Sequence, residues 1–262
     1  MATEKVLAEK LGGVGRLTFN NPERHNAMSL EMWEAVADIL ADFATTAEIR
    51  VVVVTGAGGK SFVSGADISK FEDERASTEA LARYTRATEG AAAALTTIAK
   101  PTIAMIDGYC IGGGMAVALS CDLRICSDNS CFAIPAARLG IGYGYAHLRR
   151  LVDQVGPAYA KEILFTARHF DAGEALAMGL VNRVVPPAEL EAAVAEVTES
   201  IGDNAPLTLA AAKIVVGEVL KDPAERDLEA CDRVVKKCFD SADYVEGRRA
   251  FMEKRKPRFT GR

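Results

Sequence analysis

The segment Asp107-Gly-Tyr-Cys-Ile-Gly-Gly-Gly-Met-Ala116 guides the interpretation of the whole chain. It follows the apolar run 102–106, which is typical of a buried strand, and it precedes the small-residue run 115–120, which favours a helix. A strand that ends in glycines and turns into a helix presents bare backbone N–H groups in front of that helix. Because glycine has no Cβ, a ligand oxygen that gains negative charge can approach these groups closely. The same glycines also permit a turn or close helix packing without chemistry, and this segment alone leaves both interpretations open.

The rest of the chain alternates between strand-like and helix-like patterns. The β-branched run 50–55 indicates a strand that is covered on both faces. Strands that alternate with helices imply crossover connections, so we expect an α/β fold with a largely parallel sheet. The predicted strands span residues 6–10, 15–20, 50–55, 102–106 and 122–126, and the predicted helices span 30–43 and 78–98. Beyond residue 157 the pattern is helical, with starts predicted at Gly156-Pro157, Asp171, Pro206 and Asp222-Pro223 and an end at Gly179.

The composition limits the classes of partner. The chain has 262 residues, of which 49% are hydrophobic, and a net charge of −5, so it can form one large domain or a domain with a smaller companion. The acidic balance argues against a nucleic-acid surface. No apolar run reaches the roughly 18 residues that a membrane span requires, and the first residues lack the profile of a secretory signal. We therefore expect a cytoplasmic protein with no nucleic-acid or membrane partner.

The cysteines and histidines follow no metal-binding or disulfide pattern. None of the six cysteines forms a C-x-x-C pair, and several lie in apolar runs, where a free thiol behaves as a small hydrophobe. The pattern indicates a reducing compartment without a disulfide framework. The three histidines lack the spacing of zinc ligands, so we expect no metal site.

Two segments together resemble the enoyl-CoA hydratase/isomerase superfamily, also called the crotonase family. The segment Gly59-Lys-Ser-Phe-Val-Ser-Gly-Ala-Asp-Ile68 is similar to the family pattern F-x-[AS]-G-A-D-[IL]. The glycine segment 108–114, followed by Ser120-Cys-Asp-Leu-Arg124, is similar to a second family pattern. Further similar segments lie at residues 21–27, 175–182 and 250–257. The five segments occur in an unbroken order along nearly the whole chain, which makes the resemblance specific.

The resemblance implies a crotonase-like spiral of ββα units. Residues 1–190 would form the core with a CoA-ester site, and residues 191–262 would form a helical C-terminal region for trimerisation, giving a homotrimer or a dimer of trimers. The substrate would be an acyl-CoA thioester, with coenzyme A as part of the substrate and no separate cofactor. Its thioester oxygen would lie in an oxyanion hole formed by the backbone N–H groups of Ala66 and Gly113. One such donor is typically worth about 3–4 kcal/mol of the barrier.

The resemblance also assigns residues to coenzyme A. Backbone near Ser64, Ala66 and Ile68 would hold the adenine and the pantetheine. Arg24 and His25 would lie near the phosphates, although a solvated surface charge explains Arg24 equally well. Asp67 and Asp122 resemble family positions that make loop hydrogen bonds rather than transfer protons. The full set that we assign to substrate binding is Arg24, His25, Ser64, Ala66, Asp67, Ile68, Gly112, Gly113 and Tyr145, with Phe251 and Lys254 reaching coenzyme A from a neighbouring subunit.

The chain departs from the family at both positions that supply acid/base groups. Family hydratases carry one glutamate two residues after the glycine triplet, where this chain has Ala116. They carry the second in a P-E segment, which aligns with Phe132-Ala-Ile-Pro-Ala-Ala-Arg138 and places Ala136 at that position. Each missing acid/base group typically costs a factor of about 10²–10⁴ in rate. A conventional hydratase is therefore not expected.

A tyrosine in the next segment suggests a different reaction. Tyr143 lies where the methylmalonyl-CoA decarboxylase branch carries a similar tyrosine, although Ala66 and Ala116 replace a histidine and a glutamate of that branch. Loss of CO₂ leaves an enolate that the oxyanion hole stabilises, and no water needs activation. The Tyr143 phenol would bind the carboxylate or donate the α-proton. The alternative is that Tyr143 and Tyr145 only line the acyl pocket. His147 is expected to pack or to face solvent on the following helix, and a proton relay is its alternative role.

The sequence thus predicts a lyase or isomerase of acyl-CoA metabolism that stabilises a thioester enolate. Decarboxylation of a malonyl-type CoA ester is the first hypothesis. Hydrolysis, isomerisation and weak hydration are the enzymatic alternatives. An acyl-CoA-binding pseudoenzyme is the alternative from another class, because loss of both glutamates with the glycine segment retained is also what such a protein would show.

Overall fold

The computed structural model describes residues 3–70 and 76–262, and within these ranges it contains ten strands and ten α-helices. The strands are β1 (Val6–Leu11), β2 (Val14–Phe19), β3 (Val51–Gly56), β4 (Ser61–Val63), β5 (Thr102–Ile106), β6 (Tyr109–Ile111), β7 (Leu123–Ser127), β8 (Cys131–Ala133), β9 (Phe170–Asp171) and β10 (Arg183–Val185). The helices are α1 (Leu30–Thr45), α2 (Thr78–Thr97), α3 (Gly113–Ser120), α4 (Ala136–Leu139), α5 (Tyr145–Thr166), α6 (Ala172–Ala177), α7 (Leu190–Gly202), α8 (Pro206–Val219), α9 (Leu228–Phe239) and α10 (Ala242–Met252).

The larger sheet has six strands in the order β1-β2-β3-β5-β7-β10. The β1–β2 hairpin is antiparallel, and every other neighbouring pair is parallel. Along β3, Val52 and Val54 pack into one hydrophobic cluster and Val51 and Val53 into another on the opposite face. The prediction of a largely parallel sheet with a doubly covered central strand is confirmed.

The smaller sheet has four very short strands in the order β4-β6-β8-β9. Three successive units share one plan, in which a strand of the large sheet leads to a strand of the small sheet and then to a helix: β3-β4-α2, β5-β6-α3 and β7-β8-α4. This is the spiral of ββα units that the family resemblance implies. The periodicity of the sequence did not reveal β4, β6 or β8, because three residues are too few to establish a period of two.

The predicted helix boundaries agree with the structure except at two places. The start predicted at Gly156-Pro157 lies inside α5, where Gly156 has a non-helical φ of 75° and kinks the helix. Asp171 caps α6 in a reciprocal capping box with Glu174, and Pro206 is the first residue of α8. The helix start predicted at Asp222-Pro223 is wrong, because that segment forms only a 3₁₀ turn. Helix α9 starts later, where the Asp227 carboxylate accepts a hydrogen bond from the Ala230 N–H at 2.8 Å.

The C-terminal helices are anchored to the core. Helix α7 covers one face of the large sheet through Leu190, Ala193 and Val194. On α8, the Lys213 ammonium forms an ion pair with Asp122 at 2.8 Å and also donates to backbone carbonyls before β5. Asp122 in turn accepts hydrogen bonds from the backbone and side chain of Thr102, the loop role expected for it. The helical character of this region is confirmed, and its part in oligomerisation stays a prediction.

Three of the six thiols, those of Cys110, Cys121 and Cys126, are buried. All six cysteines are free, and burial raises the pKa of both Cys121 and Cys126 to about 12, which disfavours the reactive thiolate. Within the described ranges, no helix is long and apolar enough to cross a membrane. In the same ranges no group of three or more His, Cys, Asp or Glu side chains is arranged to hold a metal ion.

Helix α3 approaches β4 so closely that a side chain at Gly114 has no space. A Cβ at Gly114 would lie 2.3 Å from the Val63 carbonyl oxygen, whereas a Cβ at Gly90 in α2 meets nothing within 4 Å. We expect Gly114→Ala to destabilise the protein by about 1–3 kcal/mol through overpacking, and Gly90→Ala to stabilise it slightly through higher helix propensity. Thermal denaturation followed by circular dichroism measures both. Equal melting temperatures for Gly114→Ala and the unmodified protein would contradict this packing.

Candidate active site

A single parallel bridge between Met28 and Ala66 orients the first backbone donor of the site. The Met28 N–H donates to the Gly65 carbonyl at 2.8 Å, and the Met28 carbonyl accepts from the Asp67 N–H at 2.8 Å. In a trans peptide the carbonyl and the following N–H point in opposite directions. Because the Gly65 carbonyl faces Met28, the Ala66 N–H of the same peptide points away from Met28.

The second donor is the N–H of Gly113, the first residue of α3. Gly112 caps this helix with a φ of 52°, a left-handed conformation that glycine adopts without a steric cost. Its own N–H is held by the Ala133 carbonyl at 2.9 Å, and its carbonyl accepts from the Ala116 N–H at 3.1 Å. The Gly113 N–H lies in the first turn, where no intrahelical acceptor exists and the helix dipole is positive.

The fold brings these two donor segments into contact. A Cβ on Gly113 would lie 3.5 Å from the Gly65 carbonyl carbon, and a Cβ on Gly112 would lie 3.8 Å from the Gly65 Cα. In the part of the chain that the structure describes, the N–H groups of Ala66 and Gly113 donate no hydrogen bond. Both residues are half-buried, so a ligand can reach them. Two neighbouring free N–H donors are the arrangement that an oxyanion hole requires.

A narrow cavity begins one helical turn beyond Gly113, at Ala116. Its volume is about 10 Å³ for the centres of water-sized spheres, which is space for about one water molecule. Four leucine or isoleucine side chains provide an apolar wall, and three polar side chains from the start of α5 and the preceding loop complete it. The lining residues are Ala116, Leu119, Ile134, Tyr143, His147, Leu148, Arg150 and Leu151.

Burial shifts the pKa values of the polar residues in this cavity. Burial raises the pKa of the Tyr143 phenol, and nearby Tyr84 adds to the effect. Burial also lowers the pKa of His147, with a further contribution from the Arg150 charge and opposition from Glu89. The Tyr143 and His147 rings lie edge to face with centroids 6.1 Å apart. At neutral pH the cavity therefore presents a neutral phenol and a neutral imidazole.

Ala116 and Ala136, the positions that the family resemblance aligns with the hydratase glutamates, contribute only methyl groups. Ala116 lines the cavity, and Ala136 is buried at the start of α4. Sequence reasoning brought Tyr143 and His147 to attention, but it missed Arg150. Because residues three apart share one face of a helix, the spacing of His147 and Arg150 was the signal that could have revealed it.

Several residues assigned to coenzyme A hold the loop that carries Ala66. The Arg24 guanidinium donates to the Ser69 hydroxyl at 2.9 Å and lies 3.5 Å from the Asp67 carboxylate. Asp67 also accepts from the Ser69 N–H at 3.1 Å, which is the loop role expected for it. The His25 imidazole lies 3.0 Å from the Ser61 hydroxyl, and its carbonyl accepts from the Ser64 N–H at 3.1 Å. The contacts of these residues with coenzyme A stay a prediction.

The remaining assigned residues lie on the surface. Tyr145 is 75% exposed, outside the cavity that Tyr143 lines, and Ile68 is 64% exposed. Phe251 is 83% exposed at the end of α10, three residues before the exposed Lys254. Phe251 borders a groove of about 1030 Å³ between α8, α9 and α10. The expected contact of Phe251 and Lys254 with a neighbouring subunit stays a prediction.

Comparison with known proteins places this geometry in a family. The family model described as "Enoyl-CoA hydratase/isomerase" matches residues 9–262. The short-chain-enoyl-CoA hydratase of Clostridium acetobutylicum is 34% identical over 98% of this chain and 97% of its own length. The carnitinyl-CoA dehydratase of Escherichia coli K12 is 33% identical over 99% of this chain and 100% of its own length. The crystal structure of an enoyl-CoA hydratase/carnithine racemase from Magnetospirillum magneticum superposes with a TM-score of 0.91 at 34% identity, covering 100% of this chain and 97% of that one.

A side chain at Gly113 tests the position of the oxyanion hole. The Cβ alone would lie 3.3 Å from Trp33 Cζ2, so the branches of a valine must displace either the indole or the start of α3. We expect Gly113→Val to lower kcat with an acyl-CoA substrate by about 10²-fold or more, the typical effect of losing one oxyanion donor. Steady-state kinetics measures the change.

The matched control is Gly202→Val at the end of α7, where a Cβ meets nothing within 4 Å. It introduces the same side chain into another helix and should retain activity. Full activity of Gly113→Val would show that the hole lies elsewhere.

Proposed function

Because the chain belongs to the enoyl-CoA hydratase/isomerase family, whose members act on acyl-CoA thioesters, we propose that it decarboxylates a malonyl-type CoA ester. The observation that carries the proposal is the combination of two free backbone donors with alanine at both glutamate positions. Ala66 and Gly113 can stabilise an enolate oxygen. Ala116 and Ala136 can neither activate water nor transfer a proton.

The reaction breaks one carbon–carbon bond. The bond between the α-carbon and the carboxylate cleaves, its electron pair enters the thioester as an enolate, and CO₂ leaves. The negative charge on the enolate oxygen faces the N–H groups of Ala66 and Gly113. The Tyr143 phenol then donates a proton to the α-carbon, giving the shortened acyl-CoA, and the phenolate recovers its proton from solvent. Tyr143 suits this role because burial keeps its phenol protonated at neutral pH.

The apolar wall of the cavity favours charge migration out of the carboxylate. Leu119, Ile134 and Leu148 surround the space next to Ala116. A carboxylate is poorly solvated in apolar surroundings, whereas neutral CO₂ loses little there. The charge moves to the thioester oxygen, to which two oriented N–H groups donate, so these donors stabilise the transition state more than the bound substrate.

A homotrimer or a dimer of trimers is the assembly that the family resemblance implies. Support comes from the open groove between the C-terminal helices, where Phe239, Phe251 and Met252 are exposed by 59%, 83% and 80%. Exposed apolar surface of this kind marks interaction sites. In such an assembly Phe251 and Lys254 reach the coenzyme A of a neighbouring subunit.

Hydration or hydrolysis is the second candidate, and one observation favours it. The cavity has space for one water molecule next to His147, whose pKa is lowered by burial. A neutral imidazole is a suitable general base. In this alternative His147 would activate the water that the missing glutamates activate in family hydratases.

A panel of CoA esters separates the two candidates. We expect the purified protein to release CO₂ from malonyl- or methylmalonyl-CoA. We also expect hydration of crotonyl-CoA at least ~10²-fold slower than in glutamate-bearing hydratases, because each missing acid/base group costs at least that factor. CO₂ release and loss of the enoyl absorbance measure the two activities. Fast hydration of crotonyl-CoA without CO₂ release from either malonyl ester would refute decarboxylation and favour His147 as the base.

The Tyr143 hydroxyl provides a finer test. Tyr143→Phe removes the proton donor but leaves a ring that fills the cavity, so we expect kcat for CO₂ release to fall more than about tenfold with little change in KM. Tyr159→Phe, which removes the same hydroxyl from an exposed position on α5, serves as the control and should behave like the unmodified protein. An unchanged kcat in Tyr143→Phe would reduce Tyr143 to pocket lining.

A further inference from the structure

We propose that Arg150 makes the cavity beside Ala116 a subsite for one carboxylate oxygen, so that the enzyme selects acyl-CoA esters with a carboxylate on the carbon next to the thioester carbonyl. The inference rests on the proposed function to the extent that the acyl group must enter this cavity. Beyond the proposed reaction, Arg150 would recognise the substrate class and give a binding preference for carboxylate-bearing esters that is separate from catalysis.

Arg150 is a cation whose charge is only partly compensated. It lies on α5, is half-buried and lines the cavity together with Tyr143 and His147. Its guanidinium makes no hydrogen bond or salt bridge with any residue in ranges 3–70 and 76–262. Burial lowers the pKa of Arg150, and the charge of Glu89 opposes that shift. A partly buried guanidinium with free donors can bind a carboxylate, to which it can donate two parallel hydrogen bonds.

The alanine substitutions change the charge balance of this cavity. A glutamate at position 116 would place a carboxylate in the wall that Arg150 also lines, where it would repel a substrate carboxylate and compete for the guanidinium. Ala116 removes that charge and leaves a methyl group in its place. Tyr143 and His147 add groups that can donate hydrogen bonds without adding a negative charge. An anionic acyl group therefore supplies the counter-charge that the chain lacks at this point.

The dimensions limit the length of the acyl group. Ala116 follows Gly113 by three residues, which is ~4.5 Å along a helix at 1.5 Å per residue. The space beyond it holds about one water-sized group, so it accepts one carboxylate oxygen but no further chain. In a malonyl-type ester a single carbon separates the thioester carbonyl from the carboxylate, which suits this short distance. The acyl chain of a longer dicarboxylic ester would be too long for this space.

An ion pair with Arg150 strengthens substrate binding and does not accelerate CO₂ loss. The carboxylate charge that Arg150 stabilises disappears as the carbon–carbon bond breaks, so the pair is strongest in the bound substrate. An interaction that is made in the ground state and lost in the transition state lowers KM and kcat together and leaves kcat/KM nearly unchanged. Arg150 is therefore a specificity residue, and its removal should raise KM without lowering kcat.

The test compares two ligands of nearly the same shape. Malonyl-CoA ends in a carboxylate, and acetoacetyl-CoA carries a neutral methyl group in place of one carboxylate oxygen. Trp33, the single tryptophan of the chain, lies beside Gly113, so stopped-flow fluorescence can report binding before turnover. We expect the unmodified protein to bind malonyl-CoA about tenfold or more tightly than acetoacetyl-CoA, as a charge-assisted pair provides.

Arg150→Gln should abolish that preference without lowering kcat for CO₂ release. The matched control is Arg149→Gln, because the neighbouring guanidinium donates to the Leu220 carbonyl and lies 3.7 Å from Asp153 instead of lining the cavity. Arg149→Gln should keep the preference. If Arg150→Gln does not fold, Glu89→Gln tests the same charge balance, since removal of the opposing carboxylate should strengthen the preference for malonyl-CoA.

The outcomes separate this inference from the proposed function. The carboxylate subsite is refuted if Arg150→Gln keeps the preference of the unmodified protein for malonyl-CoA, or if Glu89→Gln leaves that preference unchanged. Either result refutes the subsite even when CO₂ is released. An Arg150-dependent preference for malonyl-CoA without any CO₂ release supports the subsite and refutes decarboxylation. A fall in kcat as large as the rise in KM for Arg150→Gln would show that Arg150 acts in the transition state, and would overturn its assignment as a specificity residue.

Discussion

The site depends on two peptide N–H groups that donate no hydrogen bond to any residue in ranges 3–70 and 76–262. One belongs to the peptide between Gly65 and Ala66, whose carbonyl is held by Met28 and whose N–H must therefore point the other way. The other begins α3, where no intrahelical acceptor exists. Burying an unpaired backbone donor in a protein interior costs free energy. A fold therefore places two such donors together only where a ligand or water accepts their hydrogen bonds. The thioester oxygen of an acyl-CoA is the partner that the family provides.

The spiral of ββα units is what brings these donors together. In each unit a strand of the large sheet leads to a short strand of the small sheet, and the small sheet places the end of β4 next to the turn between β6 and α3. Close approach requires glycine at this crossing, because a Cβ at Gly114 would overlap the Val63 carbonyl. In the proposed function the backbone fixes where negative charge is stabilised, and the side chains around it decide which reaction uses that stabilisation. Here the polar side chains around the cavity are Tyr143, His147 and Arg150.

Much of the fold could be predicted from the sequence, because long elements carry strong periodic signals. The valine run in β3 and the caps at Asp171 and Pro206 are examples. The short strands of the small sheet could not be predicted from periodicity, since their positions are set by pairing with distant strands. The helix start at Asp222-Pro223 was misplaced because Asp227 offers a side-chain cap that Asp222 does not make. In the site, the glycine segment predicted the Gly113 donor. Arg150 was missed because its spacing from His147 indicates a shared helix face, and only the structure shows that this face lines the cavity.

The most direct measurement of the central claim is the ¹³C chemical shift of the thioester carbonyl in bound butyryl-CoA labelled at that carbon. This ester has no carboxylate to lose, so the complex persists while the spectrum is recorded. If the N–H groups of Ala66 and Gly113 both bind the carbonyl oxygen, they polarise the bond and move the resonance downfield of its position for free butyryl-CoA in water. A bound carbonyl with the same shift as the free ester would contradict the oxyanion hole, and with it the chemistry built on these two donors.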